Sequence, residues 1–347
     1  MTKKRVLLTG ATGTVGVAIL KQLIEKKDEY DITIFDLETK STKRKLKKYA
    51  KDTNIIYGDI SKYEQIEKAC KNQDTVMHLA AIIPPLADKK PGLAKRVNID
   101  GSKNLIAGLE KHSPNAFLIY ASSISVYGDR LENPEIRIND TLQASDGDYY
   151  GITKIEVENE VQNSDLDWSI FRLTAIMGVK NHKISPLMFH QPLNTKLEIA
   201  TPEDTARAFI HAIEKRAELK GRIFNLGGGS RCRIVYNSFL SKMFNIYGLG
   251  KLNFPKNAFA QRNFHCGYYM DGDELENILH FRRDSIETYF TQVKNAIPKV
   301  QRFFTQICAP LIKYRLSQLS DPLKALHKNN LAMIQRYFGK IFPKDVT

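Results

Sequence analysis

Short, almost wholly apolar runs recur along the first two thirds of the chain, at Arg5–Thr9, Asp31–Asp36, Asn54–Tyr57, Thr75–His78, Ala116–Ala121 and Trp168–Leu173. Between them lie longer stretches in which apolar residues return every three to four positions: Val15–Lys27, Tyr63–Lys71, Ala94–Lys111 and Tyr150–Asn163. The first pattern predicts strands covered on both faces and the second predicts helices. Their alternation predicts an α/β fold, a doubly wound parallel sheet with helices on either side and right-handed crossovers.

After Gly178 the rhythm breaks. An irregular stretch, Val179–Leu197, precedes a helical pattern at Glu203–Arg216. A strand at Arg222–Leu226 then ends in Gly227-Gly228-Gly229, and a further helical pattern covers Arg233–Tyr247. From Ser285 onward Ile297, Val300, Phe303, Phe304, Ile307 and Leu311 recur at helical spacing. Pro310 and Pro322 are expected to divide this tail into three segments. The chain thus reads as a core over 1–178, a small C-terminal substrate lobe over 179–284 interleaved with the last sheet elements, and an amphipathic helical tail over 285–347.

Of the 347 residues, 42% are hydrophobic and 26% charged, the balance of an ordered globular chain. Cys70, Cys232, Cys266 and Cys308 include no CxxC pair, so neither a disulfide framework nor a zinc site is expected. His112, His182, His190 and His211 show no metal-ligand spacing, and no metal is expected. Met-Thr-Lys-Lys-Arg leads straight into the first strand and no apolar run is long enough to span a bilayer. The expectation is a cytoplasmic protein.

The net charge of +14 matters because it is uneven. Residues 285–347 hold ten Lys/Arg against three Asp/Glu, a net +7, and a second cluster runs from Lys40 to Lys51. The second reads as a solvated helix face. The tail, with Phe303, Phe304, Tyr337 and Phe338, allows two readings. One is packing on the body or in a homodimer contact, and the other is peripheral contact with an anionic membrane surface. No nucleic-acid module is recognisable, so nucleic acid is not an expected partner.

The chemistry starts at Thr9-Gly10-Ala11-Thr12-Gly13-Thr14-Val15-Gly16, which follows a strand and opens a helix. The first glycine of this GxxGxxG turn allows a tight bend and the second a close approach of backbone to a pyrophosphate. The third lets helix and strand pack closely. Free N–H groups at the helix N-terminus then face the phosphates. Asp36 ends the next strand, twenty positions after Gly16, as expected for a carboxylate on the adenosine ribose. That predicts a Rossmann-type dinucleotide site. Asp36 favours NAD, while Lys40, Lys43 and Arg44 leave NADP open. Asp59, in Gly58-Asp59-Ile60, is placed either to receive the adenine amine or to cap a loop.

These features, with His78-Leu79-Ala80-Ala81, Val97-Asn98, Tyr120 to Gly128, Tyr150-Gly151-Ile152-Thr153-Lys154 and Phe171-Arg172-Leu173-Thr174, occur in a characteristic order. The chain resembles the extended short-chain dehydrogenases/reductases, the group that includes NAD-dependent epimerases and dehydratases, over about residues 5–285. Asp271–Phe281 resembles the family's closing segment, with His280 where that pattern has glycine. The resemblance implies cofactor contacts from Thr12, Thr14, Val15, Ile60, Leu79, Ala80 and Ala81. It also implies a supporting role for Asn98, for which helix-surface solvation is the alternative. Ser123 becomes the catalytic serine, Ser125 and Thr174 candidate substrate contacts, and Lys154 a holder of the nicotinamide ribose.

The four-residue offset of Tyr150 and Lys154 puts both on one helix face. A phenol with a pKa of about 10 is a poor base at neutral pH, and a neighbouring ammonium is expected to lower it. Tyr150 would then exchange a proton with a substrate oxygen while Ser123, at the C-terminal edge of its strand, positions that oxygen. Asp148-Tyr149 replaces the Ser/Pro-rich approach usual before the tyrosine, and Leu197–Ala206 departs from the nucleotide-sugar pattern. A smaller or more apolar alcohol or ketone is therefore open as the small-molecule substrate. The functions in play are a net NAD(P)-dependent oxidoreductase, a sugar epimerase that retains its cofactor, and a non-catalytic dinucleotide-binding protein.

Overall fold

The computed structural model describes residues 2–179 and 185–339. His182 and the last residues of the basic tail lie outside the described residues.

Seven parallel strands form the central sheet: β1 (Lys4–Thr9), β2 (Tyr30–Asp36), β3 (Asn54–Tyr57), β4 (Thr75–His78), β5 (Phe117–Ser123), β6 (Asp167–Leu173) and β7 (Arg222–Leu226). Their spatial order is β3-β2-β1-β4-β5-β6-β7, the doubly wound arrangement in which the order reverses between β1 and β4. The register sets Thr9 level with His78, His78 with Tyr120, and Ser123 with Leu173. The C-terminal ends of β1, β4 and β5 therefore form one edge.

Both sheet faces are covered, which is why the strands read as unbroken apolar runs. The helices Thr14–Glu25 and Pro202–Ala212 pack on one face through Ile19, Leu20, Leu23, Phe209 and Ile210. The helices Gly101–His112 and Tyr149–Gln162 cover the other through Leu105, Leu109, Val157 and Val161. Thr201 opens the Pro202 helix by accepting from the Asp204 N–H at 3.1 Å, with Pro202 at the first helical position. The last helix of the sheet region, Asp273–Leu279, ends on His280, whose φ of +48° is the left-handed conformation usually given to glycine.

The lobe surrounds a second core in which Phe189, Phe239, Phe244 and Phe259 meet Tyr289, Phe290, Ala309 and Leu316. Part of the tail is thus built into the lobe. A three-stranded sheet, with Lys196–Ala200 between Ala175–Ile176 and Arg233–Val235, joins the lobe to the central domain.

Three sequence expectations change. Tyr63–Lys71 shortens to a helical turn at Tyr63–Ile66. The Arg233–Tyr247 helix starts only at Tyr236, because Arg233–Val235 pairs with Lys196–Glu198 as a strand. Pro310 does not divide the tail: it lies inside one helix, Lys299–Ser317, on the exposed side, where water can serve the carbonyl its ring leaves unpaired. Pro322 does open a new helix, Asp321–His327, capped by Ser320.

Candidate active site

The glycine turn sits where the strand order reverses. Gly10 has φ +72°, and a Cβ there would stand 2.8 Å from the Ala80 backbone nitrogen. A Cβ on Gly16 would lie 2.2 Å from the Gly10 carbonyl oxygen, so helix and turn approach as closely as backbone permits. No side chain caps the Thr14–Glu25 helix, and its first turn carries no acid. Thr14, Val15 and Gly16 therefore offer N–H groups and a positive dipole end to an anion.

Around this turn the structure gathers Thr12, Asp36, Leu79 and Ala80. The Asp36 carboxylate accepts the Thr12 and Leu37 N–H groups, both at 2.8 Å. Lys45 reaches the Thr12 carbonyl at 3.0 Å and Lys43 pairs with Glu38 at 2.6 Å. The basic side chains of the Lys40–Lys51 run are all exposed, as a solvated face requires, and Lys45 alone among them is bonded to the turn. Asp59 caps its own loop, accepting from the Ser61 N–H and hydroxyl at 3.0 and 2.8 Å, the second of its two expected roles. Ile60 is buried beside Gly101, and Ala81 lines the half-buried loop after β4.

One hydrogen-bond chain underlies this loop. Thr9 Oγ1 accepts the Leu79 and Ala80 N–H groups at 3.2 Å and lies 2.8 Å from His78 Nδ1. His78 Nε2 lies 2.8 Å from Ser102 Oγ, which donates to the Asn98 carbonyl. Burial, with Lys154 nearby, depresses His78 to about 3, so the ring is neutral at ordinary pH. Asn98 is buried, not solvated. Its side chain bonds both the N–H and the carbonyl of Ile82, at 2.7 and 3.0 Å, and donates to Thr153 Oγ1 at 2.9 Å. It is set in a π-helical stretch, Lys95–Asp100, a local widening frequent at functional sites. Thr153 in turn donates to the Tyr150 carbonyl at 2.8 Å.

Ser123, Tyr150 and Lys154 come together at the end of β5. The Ser123 hydroxyl faces the Tyr150 phenol closely enough to favour its ionised form. Lys154 is buried, donates to the Ala121 carbonyl at 2.6 Å, and lies 4.5 Å from the Tyr120 ring centre and 5.6 Å from that of Tyr150. Burial pulls the Lys154 ammonium down to about 7, against the opposing pull of Glu158. Burial, reinforced by the Asp148 charge, pushes the Tyr150 phenol above its ordinary range, against the opposing pull of the Ser123 hydroxyl. Lys154 Nζ is directed to the Ala121 carbonyl, and burial sets the net direction of the Tyr150 shift. Asp148 owes its position to the helix: it is the N-cap and accepts the Gly151 N–H at 2.8 Å.

Ser125 is buried next to Ser123, donating its N–H to Ser123 Oγ at 3.2 Å. Thr174 is not brought to the pair: it is buried and its hydroxyl donates to the Glu198 carbonyl at 2.7 Å. A polar cleft of about 600 Å³ lies beside the loop before Tyr149, lined by Tyr127, Arg130, Asp140, Ser145, Arg262 and Asn263. Its walls do not include Ser123, Tyr150 or Lys154. Three further histidines have structural partners: His112 bonds Glu67, His190 bonds Asp321, and His211 bonds the Leu279 carbonyl.

Sequence reading missed the supports. Glu158, one helical turn beyond Lys154, forms a two-pronged pair with Arg172 of β6 at 2.7–3.2 Å and accepts from Ser122 Oγ at 2.5 Å. Arg172 also bonds the Tyr127 hydroxyl at 2.8 Å and the Ile138 carbonyl at 3.0 Å. Glu198 is likewise buried, accepting from Arg233, Gly229 and Tyr269. Glu158 and Lys154 share the four-residue spacing of the tyrosine pair, which was the available signal.

Sheet order and the glycine turn at the switch point define a Rossmann-class enzyme fold. The chain belongs to the NAD dependent epimerase/dehydratase family, whose model matches residues 6–227. It is 30% identical over 183 residues to the N-acetyl-alpha-D-glucosaminyl-diphospho-ditrans,octacis-undecaprenol 4-epimerase of Escherichia coli O157:H7, covering 51% of this chain and 50% of that protein. It is 26% identical over 127 residues to the mouse (Mus musculus) 3 beta-hydroxysteroid dehydrogenase type 7, covering 36% of this chain and 34% of that one. The chain thus spans between a third and a half of the length of these two relatives. Its fold is similar to UDP-glucuronic acid 4-epimerase from Bacillus cereus, solved with UDP-glucuronic acid and NAD. The TM-score is 0.68 at 20% identity, over 84% of this chain and 100% of that one.

Proposed function

We propose that this protein binds NAD at the Gly10–Gly16 turn and catalyses hydride transfer at a secondary alcohol or ketone, with Tyr150 as the acid/base. The observation that carries the reading is the gathering of Ser123, Tyr150 and Lys154 at the end of β5, at the same sheet edge as the glycine turn. Family membership and the NAD in the similar epimerase structure support it.

The backbone N–H groups of Thr14, Val15 and Gly16 hold the pyrophosphate, and Asp36 holds the adenosine ribose. Asp36 favours NAD over NADP. Ser123 fixes the reacting oxygen. Tyr150 keeps its proton at neutral pH, since burial raises the phenol, and donates it to a ketone oxygen. In the oxidative direction Tyr150 would first give up its own proton to solvent, and the resulting phenolate would take the alcohol proton. Nicotinamide, when bound, accepts or supplies the hydride, and its oxidised ring brings a positive charge beside Tyr150. Lys154 steadies the nicotinamide ribose with its buried amino group.

A second reading is favoured by a specific observation: both the polyprenol-linked relative and the similar solved structure are 4-epimerases. In that case the same three residues oxidise and re-reduce one carbon, and no cofactor is released. Absorbance at the reduced-nicotinamide band, followed over alcohols, ketones, nucleotide sugars and polyprenol-linked sugars, separates the two. Steady change marks net redox, and product without net change marks epimerisation. Replacement of Tyr150 by Phe is expected to lower turnover at least ~100-fold with NAD binding retained. Undiminished turnover would overturn the assignment of the proton to Tyr150.

A further inference from the structure

The Lys299–Ser317 helix turns its apolar residues both ways. Ala309 and Leu316 are buried in the lobe's core with Ile312 packed beside them, so one face is docked. Val300, Phe303, Phe304, Ile307, Leu311 and Tyr314 are each 59–67% exposed. At about 100° per residue, these six fall within an arc of roughly 100° on the side opposite Ala309. A helix that merely packs on its body does not need six large apolar side chains in water, and an apolar stripe of this extent marks an interaction surface.

The charges on the helix identify the occupant. Lys299, Arg302, Lys313 and Arg315 are its ionisable residues apart from Cys308 and Tyr314, and it has no Asp or Glu. On the same helical rotation Lys299 and Arg315 border the apolar arc on its two sides. A neighbouring crevice between this helix and the lobe presents Lys242, Lys294 and Arg302 against the single carboxylate of Glu287. A second copy of the chain, laid helix on helix over the stripe, would set those four cations against the same four, with no carboxylate on either helix to separate them. An anionic lipid surface accepts both features, the aromatic and aliphatic side chains at the acyl boundary and the cations at the headgroups. None of the helices among the described residues is long and apolar enough to cross a membrane, so the contact is with the surface.

We infer that the exposed face of the Lys299–Ser317 helix docks the protein on an anionic membrane surface. This goes beyond the hydride-transfer reading and does not depend on it. The test is co-sedimentation of the full chain with vesicles of phosphatidylglycerol and phosphatidylcholine, against vesicles of phosphatidylcholine alone. Binding to the anionic vesicles is expected, weakening as salt is raised. Phe303→Glu/Phe304→Glu should reduce it at least tenfold with the thermal midpoint and NAD binding unchanged. Lys299→Gln/Arg315→Gln should reduce it several-fold and flatten its salt dependence. Cys308 is the one exposed cysteine of the four, so a polarity-sensitive dye there reads the contact in the unsubstituted chain. Its emission should shift to the blue on adding anionic vesicles. Absence of binding, equal binding to both vesicle types, or no dye shift would overturn the inference. So would a dimer in light scattering that the Phe303/Phe304 substitution converts to a monomer.

Discussion

Removing one partner of the Glu158–Arg172 pair should be the most damaging single change near the site. The side chains are 0% and 3% exposed, and the guanidinium meets the carboxylate through both Nε and Nη2. Burial works against the Arg172 charge, yet the Glu158 bonds more than restore it, and the guanidinium is held above its ordinary value. Arg172→Met leaves a buried carboxylate with the Ser122 hydroxyl as its remaining hydrogen-bond donor, and also strips the Tyr127 hydroxyl and Ile138 carbonyl of their donor. Breaking a buried pair in this way costs about 3–5 kcal/mol. At ~2 °C per kcal/mol for a chain of this size, the melting midpoint should fall by about 6–10 °C. Glu158→Leu alone should cost a similar amount, because it strands the cation. The double variant should cost much less than the two singles together, since no unpaired charge remains. Urea and thermal unfolding of the four proteins closes the cycle. Single-variant losses below about 1 kcal/mol, or losses that simply add, would refute the view that this pair is a coupled unit.

Lys154, pulled down to about 7 in the fold, gives up its proton there near neutrality while the unfolded chain keeps it to about 10.4. Between those values the unfolded state binds more protons, so this group makes the protein more stable as pH rises, by up to ~1.4 kcal/mol per pH unit. Urea unfolding of the protein without added dinucleotide should show that slope relative to Lys154→Met, and parallel curves would exclude it. Gly16→Ala should lower the melting midpoint and abolish NAD binding, while Gly13→Ala, whose Cβ would sit 3.3 Å rather than 2.2 Å from the Gly10 carbonyl, should lower the midpoint less. Asp36→Ala should shift the NAD/NADP preference at least tenfold towards NADP in a binding titration, because a carboxylate that repels the 2′-phosphate is lost.

The sheet was legible because its strands are buried on both faces and so carry an unbroken apolar signature. The glycine turn was legible because backbone proximity allows only one residue type at Gly10 and Gly16. What escaped depended on distant partners. Glu158 is an unremarked helix carboxylate until Arg172, on the strand that follows the helix, is placed against it. Asn98 reads equally as a support or as a solvated helix residue until the π-helical stretch turns it toward Ile82 and Thr153. Arg233–Val235 has no strand pattern of its own and takes its conformation from Lys196–Glu198. Asp148 appeared as a departure in the approach to Tyr150, and its local task, holding the first turn of the helix, accounts for the residue type.

The chain of hydrogen bonds from Thr9 to Tyr150 has a direction. Thr9 Oγ1 receives two backbone N–H groups, so its own proton goes to His78 Nδ1, and the imidazole proton must sit on Nε2 and point to Ser102. Every later bond runs the same way, through Asn98 and Thr153 to the Tyr150 carbonyl. A chain with one sense cannot be adjusted at one link without stranding a donor or an acceptor at the next. The turn proposed to carry the dinucleotide and the helix proposed to carry the proton are therefore mechanically one body. The distance between the two is set during folding by residues that touch neither reactant.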